Sequence, residues 1–327
     1  MIVNQANLHG LNVSYSAAYN KAFGTANTNY QKFATTVPSS TAETNYKWLG
    51  QMPQMREWIG EREIQSLSAY EYSIKNKKFE MTVSVPRDDI EDDQYGVYTP
   101  LFANMGESAA EHPNVLCFEA LKDGFTAFCY DGKAFFASDH VVGRGSDQKT
   151  FSNLSNLKLT AETYAAARTA IMSVTGDKGK SLNLVPNLLV VSPKNEKEAR
   201  LILKADQIDG TTNVYKDTAE LMVAPELAGD SEDYWFLLCT NKFLKPIIFQ
   251  KRKEIKLVAL TKDTDEKVFL NDEFVWGADG RSNAGYGFWQ MAYGSTGTTS
   301  PATSASATAE TSESDTSGTD PDASANG

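Results

Sequence analysis

Tyr70-Glu71-Tyr72-Ser73-Ile74, Lys75-Asn76-Lys77-Lys78 and Phe79-Glu80-Met81-Thr82-Val83-Ser84-Val85-Pro86 make up the stretch whose reading decides the fold. Tyr70, Tyr72 and Ile74 alternate with Glu71 and Ser73. Phe79, Met81, Val83 and Val85 alternate with Glu80, Thr82 and Ser84. A period of two on both sides of a polar turn predicts a β-hairpin with its large apolar side chains on one face. Pro86 has no N–H for a ladder and ends the second arm. A lone hairpin is marginal in water, so this one needs another surface to lie on, and that surface can belong to another subunit.

A long helix is expected next. Asp88 stands as its N-cap with Glu91 in the capping-box position, and Asp89, Asp92 and Asp93 bring charge that suits the helix dipole. Ile90, Val97, Leu101, Phe102, Met105 and Ala109 recur at helical spacing. They predict a helix from Asp89 to Glu111, about 35 Å long at roughly 1.5 Å per residue. Pro113 breaks or kinks it, and Val115 to Leu121 add a further turn or two before Gly124.

These elements sit among Lys47-Trp48-Leu49-Gly50, Trp58-Ile59-Gly60-Glu61-Arg62, Val85-Pro86-Arg87-Asp88-Asp89-Ile90-Glu91-Asp92-Asp93, and Asp131-Gly132-Lys133-Ala134-Phe135-Phe136 through Asp139-His140. Together they resemble the major head subunit of Mu-like phages and prophages, over about Asn4 to Gly294. The resemblance implies an α+β fold of the tailed-phage, Hong Kong 97 type. It divides the chain into an N-terminal arm (1–42), an extended β-hairpin loop (43–86) and a peripheral domain with the spine helix (87–158). An axial domain (159–244), peripheral strands (245–294) and a disordered acidic tail rich in Ser, Thr and Ala (295–327) complete it.

The function implied by the resemblance is structural. Many copies would form pentamers and hexamers of an icosahedral shell that encloses double-stranded DNA without sequence-specific binding. A scaffold, a head-maturation protease and a portal are the implied partners, and assembly would take place in the bacterial host cytoplasm. Trp48, Trp58, Tyr70, Tyr72, Ile74, Phe79, Met81, Val83 and Val85 are the expected inter-subunit contacts. No catalytic residue, cofactor or metal is implied.

Composition agrees with a shell and does not single one out. The 327 residues are 41% apolar and 22% charged, enough for a sizeable core. A net charge of −11 argues against free-standing nucleic-acid binding, which needs a basic surface. No window carries the roughly 18 apolar residues of a membrane helix. Met1 to Gln5 lack the basic and apolar regions of a secretory signal, so a cytosol is the expected setting. Cys117, Cys129 and Cys239 are odd in number and without CxxC spacing, which predicts buried free thiols.

Taken in order, residues 1–42 are polar with scattered aromatics. Tyr15, Tyr19 and Phe23 could share a face of a short helix, within an arm that packs along other subunits. Gly124 to Ala137 reads as a hairpin around Asp131-Gly132. Thr160 is the expected N-cap of a helix to Val174, and Leu188 to Val191 a strand leading through Ser192-Pro193 into a second helix. Tyr234–Cys239, Ile247–Gln250, Ile255–Leu260, Val268–Trp276 and Tyr286–Met291 read as strands. From Ser295 on, the chain is too poor in apolar residues to offset the entropy of ordering.

Catalytic readings fail on spacing. Gly179-Lys180-Ser181 ends like a phosphate loop, but Val174 stands where that loop needs glycine. The acidic run from Asp88 lacks the glycine and glutamate of a calcium loop. His9, His112 and His140 have no partner at metal-ligand spacing. Asp139-His140 could orient a triad, yet no G-x-S-x-G supplies its serine, and a turn bonding backbone is preferred. Cys117 or Cys129 with His140 could form a thiol–base pair, with nothing in the sequence to bring them together. Lys251-Arg252-Lys253 reads as a solvated strand end. Two other classes stay open: a bacterial nanocompartment shell of the same fold, and a soluble cytosolic α+β enzyme.

Overall fold

The computed structural model describes residues 4–49, 71–92, 94–143, 148–176, 179–208, 210–262 and 264–300. The chain opens with helix α1 (Gln5–Thr25), which Asn4 caps by accepting the Asn7 N–H at 2.9 Å. Strands β1 (Ala34–Pro38), β2 (Glu43–Asn45), β3 (Ser73–Lys75) and β4 (Lys77–Pro86) follow, then helices α2 (Arg87–Glu91) and α3 (Thr99–Asp123). Next come β5 (His140–Val142), β6 (Lys149–Phe151), β7 (Leu154–Leu157), α4 (Ala161–Ser173), β8 (Leu188–Val191) and α5 (Glu196–Lys204). The remainder holds β9 (Gln207–Ile208), β10 (Thr211–Thr212), β11 (Glu220–Val223), β12 (Trp235–Leu238), β13 (Ile247–Leu260), α6 (Glu266–Asn271), β14 (Glu273–Tyr286) and β15 (Ala292–Thr299).

Two sheets carry the molecule. One has the order β1-β13-β14-β4, the other β11-β8-β12-β15-β7. From residues 159–244 the second sheet holds β8, β11 and β12, while β9 and β10 pair separately, and it also takes in β7 and β15 from outside that range. Helix α3 joins the two. Its first half buries Phe102, Met105 and Ala109 with α1 and the first sheet, while Leu116, Cys117, Phe118 and Leu121 belong to the larger core around the second. One helix thus serves two cores, and at about 1.5 Å per residue it is long enough to do so.

Several expectations are corrected here. The arms around Lys75-Asn76-Lys77-Lys78 do not pair with each other. β3 pairs with β2, and β4 pairs with β14 along its whole length, Pro86 opposite Glu273 and Lys77 opposite Ser282. The alternation was real, but each arm finds a distant partner, and the chain crosses from one ladder to the next through Asn76 alone. The spine helix starts at Thr99, with Pro100 in its first turn where no N–H is required, and runs through Pro113 to Asp123. The acidic run belongs instead to the short α2, where Asp88 is inside the helix and Pro86 occupies the cap position.

Within the N-terminal segment, α1 packs on its own subunit. Tyr15 is 1% exposed and stacks on Phe102 of α3 with ring centroids 4.0 Å apart, edge-on to Trp276 of β14 at 5.3 Å. Val268 to Asn271 are helical rather than strand, because β14 begins only at Glu273 after Asp272 takes a left-handed turn at φ 54°. Tyr286–Met291 is likewise interrupted: β14 ends at Tyr286, and Trp289–Met291 form a single 3-10 turn. The tail starts later than expected, since Ser295 to Thr299 complete β15 and Ser295 is fully buried opposite Trp235. The segment around Asp131-Gly132 turns as expected, with Gly132 at φ 76°, but closes by one bridge between Phe128 and Ala134 rather than by long strands.

Candidate assembly surface and a buried side-chain cluster

β2 and β3 form a narrow two-stranded stem, Glu43 opposite Lys75 and Asn45 opposite Ser73. A buried polar network fixes its root. Gln250, on interior strand β13, accepts the Tyr46 hydroxyl at 2.8 Å and donates to Ile74 O at 3.0 Å and Asn76 Oδ1 at 2.9 Å. Asn76 in turn donates to Thr41 O at 2.9 Å, and its N–H reaches Ala42 O. On the other side the Tyr72 hydroxyl accepts the Tyr286 N–H at 2.7 Å, and burial pushes the Tyr72 phenol well up. Leu49, beside this root, is fully buried. Every buried polar group of the root named here has a partner, which makes the stem a rigid mount.

The expected contact residues separate on this frame. Ile74 and Val85 are buried in the subunit's own cores, at 3% and 0% exposure, so neither offers a surface to a neighbour. Phe79, Met81 and Val83 are half-buried along β4 and pack on the same subunit's cores, and Tyr72 is held at the stem root. Trp48 remains open, at 43% exposure, between the rings of Tyr46 and Phe288 at 6.2 Å from each. Trp58 and Tyr70 lie outside the described residues.

Other exposed apolar side chains escaped the sequence reading. Phe269 and Leu270 on α6 are 82% and 65% exposed, while Val268 beside them is buried. Three adjacent apolar residues cannot all face inward from a short helix, and that run was the available signal. Lys251, Arg252 and Lys253 lie in the middle of β13, at a break in its register with β14, not at a strand end. Lys253 pairs with Asp279 there, and Lys251 lies 3.7 Å from Glu254. Thr175 and Ser181 bridge each other and Gly179 takes φ 71°, so the Gly-Lys-Ser stretch is a tight reversal rather than a loop opening a helix.

Among the described residues, one cluster has the composition of a chemical site. His140 is fully buried, its Nδ1 2.6 Å from Asp131 Oδ2 and its Nε2 3.3 Å from Phe135 O, and its ring stacks on Trp289 at 4.0 Å. Cys129 Sγ donates to Asp131 Oδ1 at 3.1 Å, and the Lys133 N–H meets the same oxygen at 3.0 Å. The carboxylate beside His140 is therefore Asp131; Asp139 pairs with Lys133 at the surface. Burial opposes ionisation of Asp131, yet the hydrogen bond and charge of His140, with the Cys129 and Lys133 donors, hold it below the usual carboxylate range. Burial raises the Cys129 thiol far above its ordinary value. The Cys-x-Asp spacing across an Asp-Gly turn was the signal for this meeting. Cys117, Cys129 and Cys239 are all free and buried.

Comparison with known proteins matches the family described as the Mu-like prophage major head subunit over residues 8–157, 150–227 and 226–320. The chain is 35% identical over 292 residues to the major capsid protein of Escherichia phage Mu, covering 89% of this chain and 74% of that protein. It is 35% identical over 288 residues to the Mu-like prophage FluMu major head subunit of Haemophilus influenzae, covering 87% and 71%. Among solved structures, the procapsid of bacteriophage JBD30 is similar at a TM-score of 0.57 and 34% identity, covering 90% of this chain and 76% of that one. The capsid of cyanophage P-SCSP1u shares the fold at a TM-score of 0.51 with 11% identity, over 82% and 88%.

Proposed function

This chain belongs to the Mu-like prophage major head subunit family, and from that premise we propose that its copies assemble as pentamers and hexamers into an icosahedral shell around phage double-stranded DNA. Its role as a head protein is structural, and the observation that carries it is the 35% identity to the phage Mu major capsid protein across 89% of the chain. Relatives at this level are head subunits, which favours the phage shell over a nanocompartment or an enzyme.

Association would use the stem as a mount. The root is locked by Gln250, Asn76 and Tyr72, and Trp48 is open beside it. We assign inter-subunit contact to Trp48 and to the 50–70 segment with Trp58 and Tyr70, and not to the buried Ile74 and Val85. An exposed aromatic such as Trp48 typically carries the centre of an interface. The acidic balance, −11 overall, suits a container that must not cling to its contents. Scaffold, head-maturation protease and portal are the proposed assembly partners, and the bacterial host cytoplasm the proposed site. No helix among the described residues is long and apolar enough to cross a membrane.

Negative-stain electron microscopy and light scattering on the purified chain, with and without its scaffold, test this reading. Closed shells, tubes or rings of pentamers and hexamers are expected. A persistent monomer under both conditions overturns it.

A further inference from the structure

Cys129, Asp131 and His140 each turn one ligand atom into a common space, and the three atoms lie within 4.8 Å of one another. We propose that this cluster is a zinc site, with Cys129 Sγ, an Asp131 oxygen and His140 Nδ1 as its protein ligands. Thiolate, imidazole and carboxylate are the three donor types that Zn²⁺ accepts, and three protein ligands leave a fourth position for water.

The second observation is the environment of the imidazole. Both ring nitrogens of His140 face acceptors, Asp131 Oδ2 at one end and Phe135 O at the other. A neutral imidazole carries a single N–H and would leave a lone pair against an acceptor at one end. A cation resolves the conflict. With zinc on Nδ1, the Nε2–H donates to the Phe135 carbonyl, the outer hydrogen bond by which metal-bound histidines are oriented. Asp131 is oriented in the same way by the Lys133 N–H.

The elements explain what such a site would do. Cys129 and Asp131 lie on the turn that follows α3, and His140 begins β5, stacked on Trp289 ahead of β15. Zinc would cross-link the end of the spine helix to the strand region it packs against, across a stretch that backbone pairing closes with a single bridge. Binding would release the Cys129 thiol proton to solvent, so affinity would rise with pH.

Metal analysis of the full-length protein, purified without chelator, reads the proposal directly. About one zinc per chain is expected, falling at least tenfold in Cys129→Ser and in His140→Ala. Because either variant could lose its fold, the unmodified chain is also loaded with Co²⁺, whose thiolate ligand gives a sulfur-to-cobalt charge-transfer band. That band, with zinc competing for it, supports the site. A folded wild-type chain with neither zinc nor the band overturns it. Equal zinc in wild type and a folded Cys129→Ser overturns it too.

Discussion

The Tyr46 hydroxyl donates to Gln250 Oε1 across 2.8 Å, and this bond ties the base of the stem to an interior strand of the four-stranded sheet. Gln250 is fully buried and its amide nitrogen serves Ile74 O and Asn76 Oδ1 at the same time. Replacing it by leucine keeps the approximate volume and leaves the tyrosine hydroxyl, a carbonyl and an amide oxygen without that partner. A buried polar group stripped of its partner costs about 1–3 kcal/mol. Urea unfolding of unassembled Gln250→Leu subunits should show a loss of at least that order. An unchanged midpoint would mean that the network does not hold the stem.

Gly106 of α3 lies where α1 crosses. A Cβ at that position would press into the backbone carbonyl of Tyr19, which cannot move without shifting α1. Gly106→Ala should therefore destabilise the subunit by about 1–3 kcal/mol, against the usual helical preference for alanine. The expected readout is a lower denaturation midpoint together with faster hydrogen exchange across Gln5–Thr25. A stabilised Gly106→Ala would show that α1 does not pack there in solution.

How much of this was legible follows from where each signal lives. Thr160 caps α4 as read, because a cap is a local hydrogen bond, Thr163 N–H to Thr160 Oγ1. The alternation of Phe79 to Val85 marked a strand correctly but could not name its partner, since pairing to Val275 and Phe274 is set nearly two hundred residues away (roughly, by sequence number). The middle of β14 carries little strand signal because Gly277, Gly280 and Gly285 weaken it. The fold needs glycine at Gly280 and Gly285 because Ile255 and Ile74 lean onto the strand, each 2.5 Å from where a Cβ would stand. Asp131 and His140 meet through a turn whose closure is a single bridge, so no periodicity announced them.

The stem and β4 make opposite predictions on deletion. Removing residues 51–70 and joining the ends with a short Gly-Ser linker leaves the Gln250 network and the β4–β14 ladder intact. That subunit should stay folded and fail to close shells. Removing Glu71–Ser84 takes away β3 and most of β4, exposes the edge of β14, and should give an insoluble chain. Circular dichroism separates the two, and electron microscopy scores assembly. Normal shells from the 51–70 deletion would end the assignment of contact to that segment.

His112 supplies a pH dependence whose sign is fixed by its surroundings. It stands on α3 with its ring 4.1 Å from that of Phe79, and Nε2 is buried with no hydrogen-bond partner. Burial lowers its pKa, so the folded chain holds it neutral where the unfolded chain, at about 6.5, already takes up a proton. The unfolded state then binds more protons as pH falls, and stability drops from about pH 6.5 downward until the folded pKa is reached. Above that window His112 contributes no slope. His112→Leu removes the group and fills the same apolar contact with Phe79, so the variant should lose less stability than wild type between about pH 7 and pH 5. Thermal melts of unassembled subunits across that range give the comparison. Parallel curves for the two proteins would show that His112 titrates normally and that its nitrogen reaches water.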